Sequence, residues 1–232
     1  MLEELSRSAM LLGEQGVERL KNARVAVFGL GGVGSYAAEA LVRSGVGHIL
    51  AVDNDVVSKS NINRQLIALN STVGQYKCDV WARRARDISP SVSLEVRKEF
   101  VLADNIDTFN LESYHFVIDA VDTVAAKVAI IKKCKENNIP IISCMGTGNK
   151  LDATRLEVTD IYKTKGCPLA RVMRTRLKKE GIDSLTVVFS TEEPVKIRTR
   201  DGEERAPGSV AFVPGVAGLI AAGEAIKHLA LK

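Results

Sequence analysis

One segment constrains the architecture more than any other. Arg24-Val25-Ala26-Val27-Phe28 is a short β-rich apolar run, Gly29-Leu30-Gly31-Gly32-Val33-Gly34 follows it directly, and Val33–Arg43 then has helical periodicity. A tight glycine turn between a buried strand and a helix brings backbone N–H groups and the positive end of the helix dipole to one point, which suits phosphate. In G-x-G-x-x-G the first glycine makes the turn, the second lets the backbone approach phosphate and the third lets helix and strand pack closely. Asp53 ends the next apolar run, His48–Asp53, about 20 residues on, where a carboxylate can take a ribose hydroxyl. The turn alone does not distinguish a mononucleotide from a dinucleotide.

The same alternation continues. The spacing predicts helices over Gln75–Ile88 and Val124–Asn137 and strands over Val92–Val96, Phe116–Asp119 and Pro140–Ser143. Strand–helix alternation with continuous apolar strands implies an α/β fold, a Rossmann-like, doubly wound, mainly parallel sheet covered on both faces. Upstream, residues 3–21 read as an amphipathic helix that Gly13 and Gly16 could divide. Downstream, the pattern gives an elaborated C-terminal half. Strands are expected at Arg155–Val158, Leu185–Phe189, Val195–Arg200 and Ser209–Val213, and helices at Pro168–Glu180 and Gly215–Leu231. No linker demands a boundary, so residues 1–232 are read as one domain with a nucleotide-binding half (1–145) and a second half (146–232).

Composition narrows the class. Hydrophobic residues make up 46% of 232, too many for a mostly disordered chain. The four cysteines, Cys78, Cys134, Cys144 and Cys167, form no C-x-x-C pair, which argues against a disulfide scaffold or a zinc ribbon and suits a reducing, cytoplasmic setting. Each of Cys144 and Cys167 sits in apolar context without a neighbouring histidine, so both read as small buried hydrophobes rather than nucleophiles. The N-terminal MLEELSRSAMLLGEQG carries acids early and lacks the apolar run of a secretory leader. Ser209–Ala222 is apolar but contains Pro214 and is expected to be too short and broken for a membrane span.

The segment after Asp53 separates the nucleotide classes. Asp53-Asn54-Asp55-Val56-Val57-Ser58-Lys59-Ser60-Asn61-Ile62-Asn63-Arg64-Gln65 is polar and bears an arginine, as a triphosphate site requires and a dinucleotide site does not. Val73-Gly74-Gln75-Tyr76-Lys77 supplies a lysine at a helix start, and Val117-Ile118-Asp119-Ala120-Val121-Asp122-Thr123 ends a strand in two acids, well placed to hold Mg²⁺ beside phosphates. Surface cations at Arg64 and Lys77, and a helix cap at Asp122, are the plainer alternatives.

D-x-D-x-V-x-x-S-N-x-N-R-Q, with G-x-G-G-V-G upstream and D-A-x-D downstream, resembles the adenylating enzymes related to the ubiquitin-activating fold. Met145–Asp152, Val158–Thr164 and Val188-Phe189-Ser190-Thr191-Glu192 are similar to one branch, the tRNA threonylcarbamoyladenosine dehydratases, and the missing C-x-x-C pairs agree with that branch over the sulfur-carrier activators. Some of that branch carry a cysteine just before V-F-S-T-E; this chain has none there.

The resemblance implies ATP and Mg²⁺ as cofactors and no zinc. It implies that Gly29, Gly31, Gly32, Gly34, Asp53 and Asp55 hold adenosine and ribose, and that Ser60, Asn61, Asn63, Arg64 and Gln65 line the phosphates. Lys77 would contact phosphate, Asp122 would position Mg²⁺ as its ligand together with the adenylation transition state, and Thr123 would be a further cofactor-binding residue. Arg7 matches an arginine that reaches the ATP of the other subunit of a homodimer, so Arg7, Arg64, Lys77 and Asp122 are the expected catalytic set. The resemblance leaves room for a monovalent cation and for a sulfur-relay or other accessory protein, and implies no membrane partner.

Net charge is +4, and Lys163–Lys179 holds seven Lys or Arg and no acid. Arg171, Arg174 and Lys178 recur at helical spacing with Lys179 beside them, opposite an apolar face of Leu169, Val172, Met173 and Leu177. A solvated cationic face is the plain reading; with the resemblance, these four residues are expected to contact tRNA phosphates. The competing functions are activation of a ubiquitin-like sulfur carrier, an NAD(P) oxidoreductase and a non-catalytic nucleotide sensor.

Overall fold

The computed structural model describes residues 3–196 and 207–231. Its centre is a seven-stranded sheet in the order β3-β2-β1-β4-β5-β7-β6. The strands are β1 (Arg24–Phe28), β2 (His48–Val52), β3 (Ser93–Arg97), β4 (Phe116–Asp119), β5 (Ile141–Cys144), β6 (Leu156–Asp160) and β7 (Thr186–Ser190). All neighbours pair in parallel except β6, which runs antiparallel to β7 at the edge.

The helices are α1 (Ser6–Lys21), α2 (Gly34–Arg43), α3 (Lys77–Ile88), α4 (Val124–Glu136), α5 (Pro168–Lys179) and α6 (Phe212–Ala230). Side chains of β1 divide between two cores. Val25 and Val27 face one with α2, α3 and α6; Ala26 and Phe28 face the other with α4 and α5. Burial on both faces is why β1 reads as an unbroken apolar run. The chain steps from β1 outward to β2 and β3, then crosses back to β4 on the other side of β1. The strand order therefore reverses between β1 and β4, where α/β sheets open a crevice at the carboxyl ends.

Most expected elements form within a residue or two of their anticipated ends. Gly13 adopts a non-helical φ of +73° and kinks α1. Gly16 does not break it; it is buried, with a would-be Cβ 3.1 Å from the Ala230 carbonyl oxygen of α6.

The expected strand at Ser209–Val213 does not form. Phe212 already begins α6, and Val213 is fully buried in the helical core. Pro214 does not interrupt the helix because it falls in the first turn, where no N–H partner is required. The resulting helix is 19 residues long and apolar enough to cross a bilayer by length and composition; here it packs against α1, α2 and the sheet. Val195 and Lys196 carry no strand, and residues 197–200 of the expected Val195–Arg200 strand lie outside the described residues.

Candidate active site

The crevice at the carboxyl ends of β1, β2 and β4 holds a cavity of about 340 Å³. Its first wall is the glycine turn. Gly29 has a φ of +86°, and a Cβ there would lie 2.7 Å from the Ala120 carbonyl oxygen. A Cβ on Gly34 would lie 1.7 Å from the Gly29 carbonyl oxygen, so only glycine lets α2 start this close to the turn. Gly31 and Gly32 line the cavity, whereas Gly34 packs behind it.

Asp53 stands where β2 ends and braces the turn. Its Oδ2 accepts from the Leu30 N–H at 2.7 Å and its Oδ1 from the Asp55 N–H at 2.8 Å. Lys77 Nζ lies 2.6 Å from Asp55 Oδ2 and 3.6 Å from Asp53 Oδ1. Burial pushes the Asp53 carboxyl above the ordinary carboxylate range, and Lys77 with the two N–H donors pulls the other way. The lysine is thus a nearly buried cation shared by two acids, one of which, Asp55, is 60% exposed.

The polar loop after Asp53 curls over the opening. Asn61, Arg64 and Gln65 line the cavity; Ser60 and Asn63 do not. Those two instead hold the arginine: Arg64 Nη1 donates to the Ser60 carbonyl at 2.9 Å and to Asn63 Oδ1 at 3.0 Å. Asn63 Nδ2 in turn donates to the Ser209 carbonyl at 2.9 Å, tying the loop to the approach to α6. Asn61 Oδ1 accepts from the Ser58 N–H. Gln65 is buried and its Oε1 has no hydrogen-bond partner among the described residues.

Asp122 and Thr123 line the far wall, and among the described residues Asp122 Oδ1 is paired only with the Thr123 hydroxyl at 3.4 Å. An exposed carboxylate so weakly engaged fits Mg²⁺, which takes one or two carboxylates and completes its shell with phosphate oxygens and water. Among the described residues no three His, Cys, Asp or Glu converge, and such a site needs no cluster of that kind.

Arg7 is exposed on the first turn of α1 and does not line this chain's cavity. On α5, Arg171, Lys178 and Lys179 are exposed and carry no partner among the described residues. Arg174 is half-buried, with Nη1 donating to the Thr164 carbonyl at 3.0 Å and to the Thr164 hydroxyl, so its guanidinium anchors the start of the helix. Val172, counted on the apolar face, is 45% exposed. All four cysteines are buried and free. Burial pushes the thiols of Cys78, Cys134 and Cys144 up to about 12, far from thiolate chemistry.

Sequence reasoning missed part of the lining. Glu99, Phe100 and Val101 follow β3 and border the cavity beside Asp53, and Thr147, Ser209 and Pro214 come from the second half. Phe100 is 44% exposed, an aromatic face open to the site, while Glu99 is turned aside by Arg97 at 2.7 Å. An aromatic just past a strand's carboxyl end was the available signal.

Fold and site together define a nucleotide-binding α/β protein whose phosphate turn faces a cluster of cations rather than a second nucleotide crevice. The ThiF family profile matches residues 5–232, and the chain belongs to the ThiF family. It is 46% identical over 242 residues to a tRNA threonylcarbamoyladenosine dehydratase of Bacillus subtilis, covering 99% of this chain and 95% of that relative. The crystal structure of Escherichia coli tRNA N6-threonylcarbamoyladenosine dehydratase in complex with ATP superimposes with a TM-score of 0.91 at 38% identity, over 98% of this chain and 93% of that one. The same enzyme in complex with AMP gives a TM-score of 0.90.

Proposed function

We propose that this chain is an ATP-dependent tRNA threonylcarbamoyladenosine dehydratase. The observation that carries the reading is the single cavity into which the glycine turn, Arg64, Lys77 and Asp122 converge, in a chain alike from end to end to an enzyme crystallised with ATP. The substrate carboxylate is a poor electrophile. Its oxygen attacks the α-phosphorus of ATP, pyrophosphate leaves, and a mixed anhydride with AMP forms. The carbamoyl group of the same modification then attacks the activated carbonyl, loses its proton and expels AMP, which carries away the carboxylate oxygen. The net change in the nucleoside is loss of one water. The attacking group is tethered to the reacting carbon, so no enzyme nucleophile is needed, in keeping with buried thiols.

The protein's work is binding and charge management. Arg64, held in line by Ser60 and Asn63, and Lys77, held between Asp53 and Asp55, meet the phosphates. Asp122 would hold Mg²⁺, which when bound offsets phosphate charge. Gln65 brings an amide oxygen with no partner among the described residues to the same wall. Phe100 offers a face for adenine.

Residues 1–232 act as one adenylating unit, the first half binding nucleotide and the second receiving substrate. A homodimer in which Arg7 reaches the partner's ATP accounts for an arginine outside its own cavity next to Met10 and Leu11, which are 82% and 86% exposed. Arg171, Lys178 and Lys179 meet tRNA phosphates; Arg174 contributes by fixing the helix that presents them. The setting is cytoplasmic.

The test is product stoichiometry. AMP and pyrophosphate should form one for one with tRNA that carries the threonylcarbamoyl group and not with unmodified tRNA; equal turnover on both would defeat the reading.

A further inference from the structure

Beneath the cavity floor lies a sealed polar cluster. Lys127, one turn into α4, is fully buried. Its Nζ donates to Asp119 Oδ2 at 3.0 Å, to Ser143 Oγ at 3.2 Å and to the Cys144 carbonyl at 2.8 Å. Ser143 Oγ also donates to Asp119 Oδ2 at 2.5 Å, and Asp119 Oδ1 accepts from the Val121 N–H at 3.2 Å. An ammonium has three donors, and all three are used.

Neither Lys127 nor Asp119 nor Ser143 lines the cavity, but what they hold does. Ala120–Thr123 continue directly from Asp119, Ala126 precedes Lys127, and Thr147 follows Cys144 by three residues. The cluster joins the end of β4, the end of β5 and the first turn of α4, and Asp122 lies on the short link between β4 and α4. It also fixes the Ala120–Val121 peptide, whose carbonyl carbon and oxygen lie within 2.9 Å of a would-be Cβ on Gly29. A shift of that peptide moves Asp122 and presses on the glycine turn together. Stability gives little reason for the charge, because a buried ion pair is often matched or bettered by apolar residues of similar volume.

We infer that Lys127 is a positioning residue for adenylation, acting through Asp119 and the Ala120–Val121 peptide to hold Asp122 in register at the cavity wall. The inference rests on the reaction proposed above.

Two variants test it in the full chain. Lys127→Met leaves Asp119 buried and unpaired, so Asp119→Asn with Lys127→Met removes both charges and keeps an acceptor for Val121. Each is assayed for thermal unfolding, for ATP dissociation constant and for kcat and KM of nucleoside dehydration. The double variant should fold and bind ATP within about threefold of the parent while kcat falls on the order of 10²-fold, the scale of a misplacement near 1 Å. An unchanged kcat in a folded double variant overturns the inference. So does a loss of ATP affinity and kcat in step, or failure of both variants to fold, since each makes the pair merely structural. An inactive parent would refute the reaction itself, whereas an active parent beside an equally active variant refutes only the positioning role.

Discussion

Two strand ends in this molecule use the same device differently. At β2, Asp53 is paired with a lysine from the first turn of a following helix, Lys77; at β4, Asp119 is paired with Lys127, which stands just inside α4. The first cluster opens onto the cavity through Asp55. The second is sealed, with both side chains at 0% exposure. Lys77 lines the cavity and is shared by two carboxylates, the arrangement that the proposed phosphate contact requires. The sealed one has its hydrogen-bonding capacity filled by protein and has nothing left to offer a ligand. Burial and saturation, rather than residue type, separate a ligand contact from a scaffold.

The largest effect is expected on the open side. Arg64→Ala removes the cation that Ser60 and Asn63 orient, and turnover should fall on the order of 10²- to 10³-fold, while filter binding of tRNA stays unchanged. Parent-like turnover would break the assignment of this wall to phosphate.

Lys77→Met comes next. It removes the cation that, among the described residues, pairs with Asp53 and Asp55, leaving two acids facing the triphosphate. Calorimetric titration should show ATP affinity down by about tenfold or more, the scale of one lost charge-assisted contact, and binding should recover partly at lower pH as Asp53, already shifted upward by burial, takes a proton. If affinity falls without any recovery, the coupling between Lys77 and Asp53 is wrong.

Removing the α5 cations separates substrate docking from chemistry. Arg171→Ala, Lys178→Ala and Lys179→Ala combined should reduce the salt dependence of tRNA binding by a slope of about 2 to 3, with ATP affinity unaltered. Arg174→Ala should instead lower thermal stability, since its guanidinium is spent on Thr164. A salt slope unchanged in the triple variant would remove this face from the tRNA path.

The smallest effect is a control away from both clusters. Glu39 on α2 pairs with Arg84 of α3 and Arg43. Burial opposes its ionisation, but the bonds from Arg84 and Arg43 outweigh this and hold its carboxyl below the ordinary value of 4.5. A depressed folded-state pKa stabilises above that ordinary value, and the contribution disappears as pH falls through the folded one. Both arginines are well exposed, so the contribution is about 1 kcal/mol or less. Glu39→Gln should flatten that part of the acid denaturation curve without changing kcat; a change in kcat would mean that ion pairs remote from the cavity also tune the site.

Much of this was readable because local physics and global structure agree in the first half. Strands buried on both faces are continuous apolar runs, and the glycine turn has one backbone solution. Where they part, the reading failed. Ser209–Val213 looks β-rich in isolation, yet Val213 and Pro214 belong to the first turn of a core helix. Ser60 and Asn63 are expected at the phosphates by motif position, and a motif does not reveal that the Ser60 carbonyl and Asn63 Oδ1 accept from Arg64. Asp119 was visible as a strand-end acid, whereas its tie to Lys127 and Ser143 exists only once β4, β5 and α4 are assembled. Phe100 lay outside every motif, and only the parallel register of β2 and β3 brings it beside Asp53.

Mass spectrometry of nucleosides from threonylcarbamoylated tRNA incubated with the protein, with and without Mg-ATP, reads the proposed dehydration itself. Loss of one water from the modified adenosine, only when ATP is present and abolished in Arg64→Ala, is the predicted result. A modified adenosine that stays intact beside protein that binds ATP would contradict it and direct attention to the carboxylate of a carrier protein as the group this site adenylates.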